Sequence, residues 1–295
     1  MNGFIFIDKP KGMTSFDVVR DVKRKVFDKF GKMKVGHSGT LDPIATGLLI
    51  IAIGESTKLL EYLLGSKKTY RARGIFGAVS DTYDADGEVT KTEGEEKPVT
   101  EAVIKKVIQD DFVGEISQVP PKYSAKKVNG KRAYDLARAG EDFELKPSVV
   151  EISRYDIIDF DWPNIEVEIA CGSGTYVRSL IHDLGQELKV GAYMSGLVRL
   201  SVSGVELDEA CSLDEFLASE DIEGFVHSDM DVLKGFPMIE LNPQDFFKLK
   251  NGGFVLNKKS VQEQVSFGVC EGEVVGVIEP QMEGKFLKFK KRLVK

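Results

Sequence analysis

Apolar residues near the start of the chain form first a continuous run and then a helical pattern. Residues 4–7 are all apolar, which predicts a short strand, and residues 8–12 carry the proline and glycine of a turn. Beyond the turn, apolar side chains recur every three or four positions, at Val19, Val22, Val26 and Phe30. This spacing predicts an amphipathic helix, and Ser15 stands where its N-cap is expected.

The same patterns continue through the next 140 or so residues and predict a mixed α/β sheet domain. Runs rich in apolar or alternating residues predict strands over residues 47–53, 69–76, 149–160 and 165–170. Helical spacing predicts helices over residues 55–64, over Glu101–Asp111 with Thr100 as the cap, and over residues 179–188.

A change of composition near Phe236 and Pro237 indicates a second, smaller domain. Short strand-like runs follow it, at residues 238–241, 265–270, 274–278 and 286–289. Their length and spacing resemble a small β-barrel module. We therefore predict a domain of residues 1–234 and another of residues 235–295.

Length and composition indicate a soluble, ordered protein. The chain of 295 residues is long enough for a large core. Its longest apolar run, residues 48–53, is too short to span a bilayer, and the first residues lack the pattern of a signal peptide, so we expect a cytoplasmic protein. The three cysteines are widely separated and only three histidines accompany them, which favours reduced thiols over a disulfide or zinc site.

The charges are distributed unevenly along the chain. The net charge of −7 argues against a nucleic-acid partner. However, basic residues outnumber acidic ones nine to three over residues 9–34, six to one over residues 122–138 and six to none over residues 285–295. Such a distribution is compatible with a basic face for RNA, although charged runs are also common on ordinary solvated surfaces.

Residues 36–43 hold the most informative polar side chains, since they place His37 and Asp42 in a turn bracketed by glycines just before a predicted buried strand. Asp42 can be a catalytic nucleophile there. It can equally begin an Asp-Pro turn, with His37 satisfying backbone groups. Local chemistry alone leaves both interpretations open.

Two other segments carry polar chemistry. The acidic loop of residues 80–87 lacks the closing glutamate of a calcium loop, and its aspartates do not form a credible ligand set for a metal-dependent hydrolase. Residues 122–134 combine cations with tyrosines around an Asn129–Gly130 turn. Cations and aromatic rings together suit phosphates and stacked bases.

Four segments in the same order resemble the bacterial tRNA pseudouridine-55 synthase family. They are residues 8–15, 36–47, 121–126 and 174–180, and the resemblance extends over nearly the whole chain. Residues 68–72 and 81–87 are similar to that family as well. The C-terminal module resembles, more distantly, the appended RNA-binding domain called PUA.

This resemblance implies isomerisation of uridine 55 in the T-loop of tRNA to pseudouridine, with the base flipped out of its stack and with no metal or cofactor. Asp42 matches the catalytic aspartate of the family, and a carboxylate can hold one fragment while the other turns over. Whether it attacks C1′ of the ribose, attacks C6 of the uracil or removes a ribose proton is left open. Arg178 matches the arginine that pairs with this aspartate and keeps it ionised.

The resemblance also implies roles for further residues. Tyr70 is expected to stack on the target base and to be available for proton transfer, and Tyr176 and Leu197 are expected to line the uracil pocket. His37 is expected to fill the space of the flipped uridine. Lys9, Tyr123 and Lys126 are expected to hold the T-loop backbone, the last two from a gripping segment over residues 119–146.

The implied partner is the T-stem-loop of tRNA, bound by a monomer without a protein partner. An alternative is a non-catalytic tRNA-binding or RNA-chaperone protein of the same fold. The presence of Asp42, Tyr70 and Arg178 together weighs against this alternative.

Overall fold

The protein folds into a large mixed sheet with helices packed on it, followed by a smaller sheet. The computed structural model describes residues 1–92, 98–124, 126–128, 130–257 and 265–293. Asn129, half of the predicted turn, lies outside them. None of the helices in these ranges is both long and apolar enough to cross a membrane.

The strands and helices of the described residues are numbered along the chain. The strands are β1 (Gly3–Lys9), β2 (Val35–His37), β3 (Ala45–Ile53), β4 (Lys68–Phe76), β5 (Ala78–Ser80), β6 (Val89–Lys91), β7 (Gly114–Gln118), β8 (Lys127–Val128), β9 (Lys131–Arg132), β10 (Ser148–Asp161), β11 (Asn164–Cys171), β12 (Ala192–Val202), β13 (Val205–Glu206), β14 (Cys211–Ser212), β15 (Met238–Glu240), β16 (Val255–Leu256), β17 (Ser266–Cys270), β18 (Glu273–Gln281) and β19 (Phe286–Arg292). The helices are α1 (Ser15–Phe30), α2 (Leu60–Gly65), α3 (Glu101–Asp111), α4 (Ala133–Arg138), α5 (Val177–Glu187), α6 (Leu213–Ala218), α7 (Asp229–Val232) and α8 (Pro243–Lys250).

The large sheet has the strand order β14-β1-β3-β12-β4-β11-β10-β7, with β2 beside β3 and β13 beside β12. Strand β12 runs parallel to β3 and antiparallel to β4, so the sheet is mixed. The predicted mixed α/β fold is confirmed. Strand β3 is buried along almost its whole length, as expected for a central strand covered on both faces.

The structure corrects several predicted elements. Thr14, not Ser15, caps α1, since Thr14 and Asp17 form a reciprocal capping box. The helix predicted over residues 55–64 is a 3₁₀ helix, Gly54–Leu59, that continues into α2. The Thr57 hydroxyl donates to the Gly54 carbonyl at 2.7 Å. In an α-helix this carbonyl would accept from the backbone amide four residues later, so the hydroxyl competes with the α-helical hydrogen bond.

Strand β12 was not predicted from the sequence. Its buried and partly exposed positions do not alternate strictly, and it carries the polar residues Ser195, Arg199 and Ser201. These polar residues weaken the apolar pattern that identifies a strand. The strand nevertheless lies between β3 and β4, and it carries Leu197 and Arg199.

The small sheet has the order β15-β17-β18-β19-β16 and packs with α8 around a core of its own. Among the described residues the two edge strands, β15 and β16, do not pair with each other, so the sheet is open. Such a sheet agrees with a PUA-like β module. A second apolar core joins the two parts of the chain: Phe267 makes an edge contact with Tyr62 of the large domain, at 5.3 Å between ring centroids. The predicted boundary after residue 234 remains a prediction, but apolar packing joins its two sides.

Candidate active site

The loop of residues 36–43 is held against the sheet through its backbone. The Ser15 hydroxyl accepts a hydrogen bond from the Leu41 amide at 2.8 Å and donates to the Leu41 carbonyl at 3.1 Å. The Gly12 amide donates to the Pro43 carbonyl at 2.8 Å. Because buried backbone groups must find partners, these bonds restrain the backbone on both sides of Asp42.

Asp42 is both a turn residue and part of an ion pair. Its carbonyl accepts a hydrogen bond from the Ala45 amide at 3.0 Å, so the backbone begins a turn. Its carboxylate lies 2.9 Å from Nε of Arg178. The two interpretations left open by the sequence are therefore compatible, and the expected pair is present.

Arg178 is buried and its guanidinium is surrounded by acceptors. Besides Asp42, Nη1 lies 3.3 Å from the carboxylate of Asp84 and donates to the Thr82 carbonyl at 2.9 Å. Nη2 donates to the Tyr123 carbonyl at 3.1 Å. Three segments distant in sequence thus converge on one side chain near the start of α5.

Burial raises the pKa of the Asp42 carboxyl above its usual value. Arg178 acts in the opposite direction, while the negative charges of Asp84 and Asp86 add to the rise. The side chain of Asp42 is still 37% exposed, so water in the cavity weakens the effect of burial. Arg178 therefore favours the ionised carboxylate, as expected, whereas burial and the two neighbouring carboxylates favour the protonated form.

A cavity of about 350 Å³ opens beside this pair. It is lined by Thr40, Leu41, Asp42, Tyr70, Tyr123, Ser124, Tyr134, Thr175, Tyr176, Val177, Arg178 and Leu197. Six of the residues predicted for the site are among them. The cavity is the size of a small-molecule site and has flat aromatic and aliphatic walls.

The aromatic walls are held by different elements. Tyr70 stands in β4 and is 9% exposed, and burial raises the pKa of its phenol while the nearby Arg199 guanidinium lowers it. Tyr176 immediately precedes α5. The Gln118 side chain fixes it by accepting from its amide at 2.8 Å and donating to its carbonyl at 3.1 Å.

Three predicted residues do not line the cavity. His37 is partly buried, and its Nδ1 accepts a hydrogen bond from the Gly39 amide at 3.2 Å. Burial lowers the pKa of His37, which favours the neutral ring. Lys126 is partly exposed in the segment before β8.

Lys9 is the third, and its position differs from the one expected of a residue that holds the RNA backbone. It is completely buried. Its ammonium donates to the carbonyls of Pro10 and Met13, at 2.9 and 2.6 Å. Burial lowers the pKa of Lys9 to about 8. In this arrangement the ammonium supports the turn after β1, and the role in holding the RNA backbone stays a prediction.

Part of the basic character of residues 9–34 serves the fold. Lys25 donates to the Leu217 carbonyl and Lys29 to the Glu220 carbonyl, at the end of α6 and just beyond it. Arg20 lies 2.8 Å from Asp17. Three cations of this segment therefore have partners within the protein.

Sequence reasoning missed several residues of the site. Asp84 belongs to the acidic loop, and its contact with Arg178 is invisible along the chain. Tyr134 lines the cavity from α4, with its ring 6.2 Å from that of Tyr123. Arg199 was not predicted because the strand that carries it, β12, was not predicted. In the described ranges, no three histidine, cysteine or acidic side chains are grouped closely enough to hold a metal ion.

Comparison with known proteins relates the chain to one family. The profile of the N-terminal domain of TruB family pseudouridylate synthases matches residues 24–177. The tRNA pseudouridine synthase B of Aquifex aeolicus is 41% identical over 297 residues, covering 100% of both chains. The protein of the same name from Lactobacillus acidophilus is 42% identical, covering 85% of this chain and 86% of its own.

Solved structures support the fold over the whole chain. A chain of a Cbf5–Nop10–Gar1 complex superposes with a TM-score of 0.76 at 22% identity, covering 99% of this chain and 85% of its own. A chain of an H/ACA ribonucleoprotein bound to a substrate RNA superposes with a TM-score of 0.74 at 19% identity, again covering 99% and 85%. At these identities the likeness concerns the fold alone.

Proposed function

The chain belongs to the TruB family of pseudouridylate synthases, and from that premise we propose that it converts uridine 55 in the T-loop of tRNA to pseudouridine. In this reaction the N1–C1′ bond breaks and a C5–C1′ bond forms. The proton on C5 is released, and N1 gains a proton. The observation that carries the proposal is the Asp42–Arg178 pair at 2.9 Å beside a cavity with aromatic walls.

Asp42 is the nucleophile in this proposal. A carboxylate can bond to one fragment while the uracil turns over, and this needs no cofactor. The loop around Asp42 is anchored by Ser15 and Gly12, so its carboxylate is held in place before the substrate arrives. Such preorganisation lowers the entropic part of the barrier. Arg178 orients the carboxylate and favours its ionised, nucleophilic form.

The cavity suits a flipped pyrimidine. Tyr70 and Tyr176 provide flat faces, and Leu197 on β12 closes the wall with an aliphatic side chain. Aromatic stacking compensates for part of the stacking that a base loses when it leaves its loop. His37, which lies outside the cavity, fills the space vacated by the base.

The T-stem-loop is gripped by the segment of residues 119–146. Tyr123 and Tyr134 reach the cavity from this segment, which also carries the partly exposed Lys126. Within the proposal, the enzyme acts as a cytoplasmic monomer without a cofactor. Lys9 contributes to the shape of the turn next to the loop of residues 36–43, since its ammonium is already bound by carbonyls.

The test is release of tritium from tRNA labelled at C5 of uracil, without added metal. The parent protein is expected to release tritium. Asp42→Asn keeps the size of the side chain but removes its charge, and we expect it to lower the rate by at least ~1,000-fold. Full activity of Asp42→Asn would refute the assignment of the nucleophile.

The position of the target is tested separately with a tRNA transcript in which uridine 55 is replaced by cytidine. This transcript is expected to bind with similar affinity and to release no tritium above background. Undiminished release would refute the choice of uridine 55. Binding of the T-stem-loop by the parent protein without any release would instead support a non-catalytic tRNA-binding or RNA-chaperone protein.

A further inference from the structure

Arg199 is a buried cation in the large sheet. It is 1% exposed in the middle of β12. Among the described residues, no carboxylate lies within ion-pair distance of its guanidinium. Burying an unpaired charge is costly, so such a residue is expected to make other contacts that offset the cost.

Neighbouring cations make the position of Arg199 more costly still. Lys68 and Lys9 are buried close enough for the charge of Arg199 to act on both. Burial lowers the pKa of each lysine to about 8, and Arg199 contributes in the same direction, although the negative charge of Asp42 opposes the effect at Lys9. The fold therefore keeps three cations together beneath the loop of residues 36–43, where an apolar side chain in place of Arg199 would be easier to bury.

Arg199 makes one hydrogen bond to strand β3 and one to that loop. Nε donates to the Leu48 carbonyl at 2.7 Å and Nη2 donates to the Gly39 carbonyl at 3.1 Å. Gly39 has a φ of +142°, and a Cβ atom built there would lie 3.5 Å from Nη1. The planar guanidinium thus bridges strand β3 and the loop that carries Asp42.

Arg199 also lies beside the aromatic wall of the cavity. It is paired in register with Tyr70 on β4, and its charge acts on the Tyr70 phenol. Leu197, two residues earlier on the same strand, lines the cavity too. One side chain therefore touches the loop that carries Asp42 and adjoins the ring that forms a cavity wall.

We infer that Arg199 is a positioning residue that fixes the loop of residues 36–43 relative to Tyr70 through its hydrogen bonds to Gly39 and Leu48. Its effect on turnover rests on the proposed function. Its effect on the position of Tyr70 does not, so the two can be measured independently.

The experiment compares Arg199→Gln and Arg199→Lys with the parent chain. Arg199→Gln removes both the charge and the planar set of N–H donors of the guanidinium. Arg199→Lys keeps the charge but lacks this planar set of donors. Both are expected to lower single-turnover tritium release about tenfold or more while the affinity for the T-stem-loop stays within about twofold. Val202→Ala, a buried change on the same strand, is the control for lost stability and is expected to keep parental turnover at temperatures where it is folded.

The second readout is ¹³C NMR of the chain labelled at Cζ of tyrosine, with the Tyr70 signal assigned by Tyr70→Phe. Arg199→Gln is expected to displace this signal and to move its titration to higher pH, because the charge that lowers the pKa of Tyr70 is lost. Arg199→Lys is expected to displace the signal with a smaller change in titration. Val202→Ala is expected to leave it in place.

Parental turnover, or an unmoved Tyr70 signal, in folded Arg199→Gln would overturn the inference. If Arg199→Gln does not fold, parental turnover or an unmoved Tyr70 signal in Arg199→Lys would overturn the inference instead. If the parent chain releases no tritium, the proposed function fails, and the Tyr70 signal alone still decides whether Arg199 positions that ring.

Discussion

The Asp84 carboxylate lies 3.3 Å from Nη1 of Arg178, the same guanidinium that pairs with Asp42. The Asp84 side chain is only 5% exposed. It is held by the Thr82 hydroxyl at 2.6 Å and by the amide of Asp86 at 3.1 Å. Arg178 therefore meets Asp42 in an orientation that a second, rigidly held carboxylate helps to set.

Asp84→Asn is expected to lower turnover by about ten- to a hundredfold with little change in affinity for RNA, because it removes one of the two charges that orient Arg178. Asp81→Asn, in the same loop but exposed, is the matched control: asparagine can still accept the hydrogen bond from the Glu88 amide, and the variant is expected to stay close to the parent. The measurement is single-turnover tritium release with a parallel binding titration. Equal rates for the two variants would contradict the role of Asp84.

The pH dependence of turnover follows from the raised pKa of Asp42. A nucleophilic carboxylate must be ionised, and a raised pKa means that it ionises only at higher pH than an ordinary aspartate. As the pH is lowered, we therefore expect the rate to begin to fall at a higher pH than it would for an exposed aspartate. Arg178→Met should move this acid limb to still higher pH, since the guanidinium lowers the pKa of Asp42. A limb that moves to lower pH would contradict the assignment.

Ser15→Ala removes both hydrogen bonds between the Ser15 side chain and the Leu41 backbone. Leaving these buried groups unpaired is expected to cost about 1–3 kcal/mol and to lower turnover, because Leu41 adjoins Asp42. Thr14→Ala is the matched control: it removes the cap of α1 at a cost of about 1 kcal/mol without touching the loop. Denaturant unfolding and single-turnover rates of both variants check this. A similar loss of turnover in Thr14→Ala would show that general destabilisation is responsible.

Phe267→Ala tests whether the small domain stabilises the large one. Phe267 is fully buried in the shared core, and its truncation is expected to cost about 3–5 kcal/mol. The single tryptophan, Trp162, stacks on Phe76 in the large domain, so its fluorescence follows unfolding there. We expect Phe267→Ala to lower the midpoint seen by Trp162 and Phe247→Ala, at a position 67% exposed in the same small domain, to leave it unchanged. An unchanged midpoint in Phe267→Ala would show that the two domains unfold independently.

Local sequence patterns predicted the elements whose periodicity is strong. Helix α1 and strand β3 were found because a continuous apolar run or a regular helical spacing is visible within a few residues. Strand β12 was missed because Arg199 and neighbouring polar residues interrupt its pattern. Carbonyl groups from β3 and from the loop of residues 36–43 accept hydrogen bonds from Arg199 and offset part of the cost of burying it there.

The sequence by itself determined the mixed fold and the resemblance to a family, and it predicted the pairing of Asp42 with Arg178, since each depends on residue type and order along the chain. Only the tertiary structure decided that Lys9 is buried, that Asp84 shares Arg178 with Asp42, and that the small domain shares a core with the large one. The physical reason is that periodicity is a local property. Burial and charge pairing, in contrast, depend on which distant segments the fold brings together.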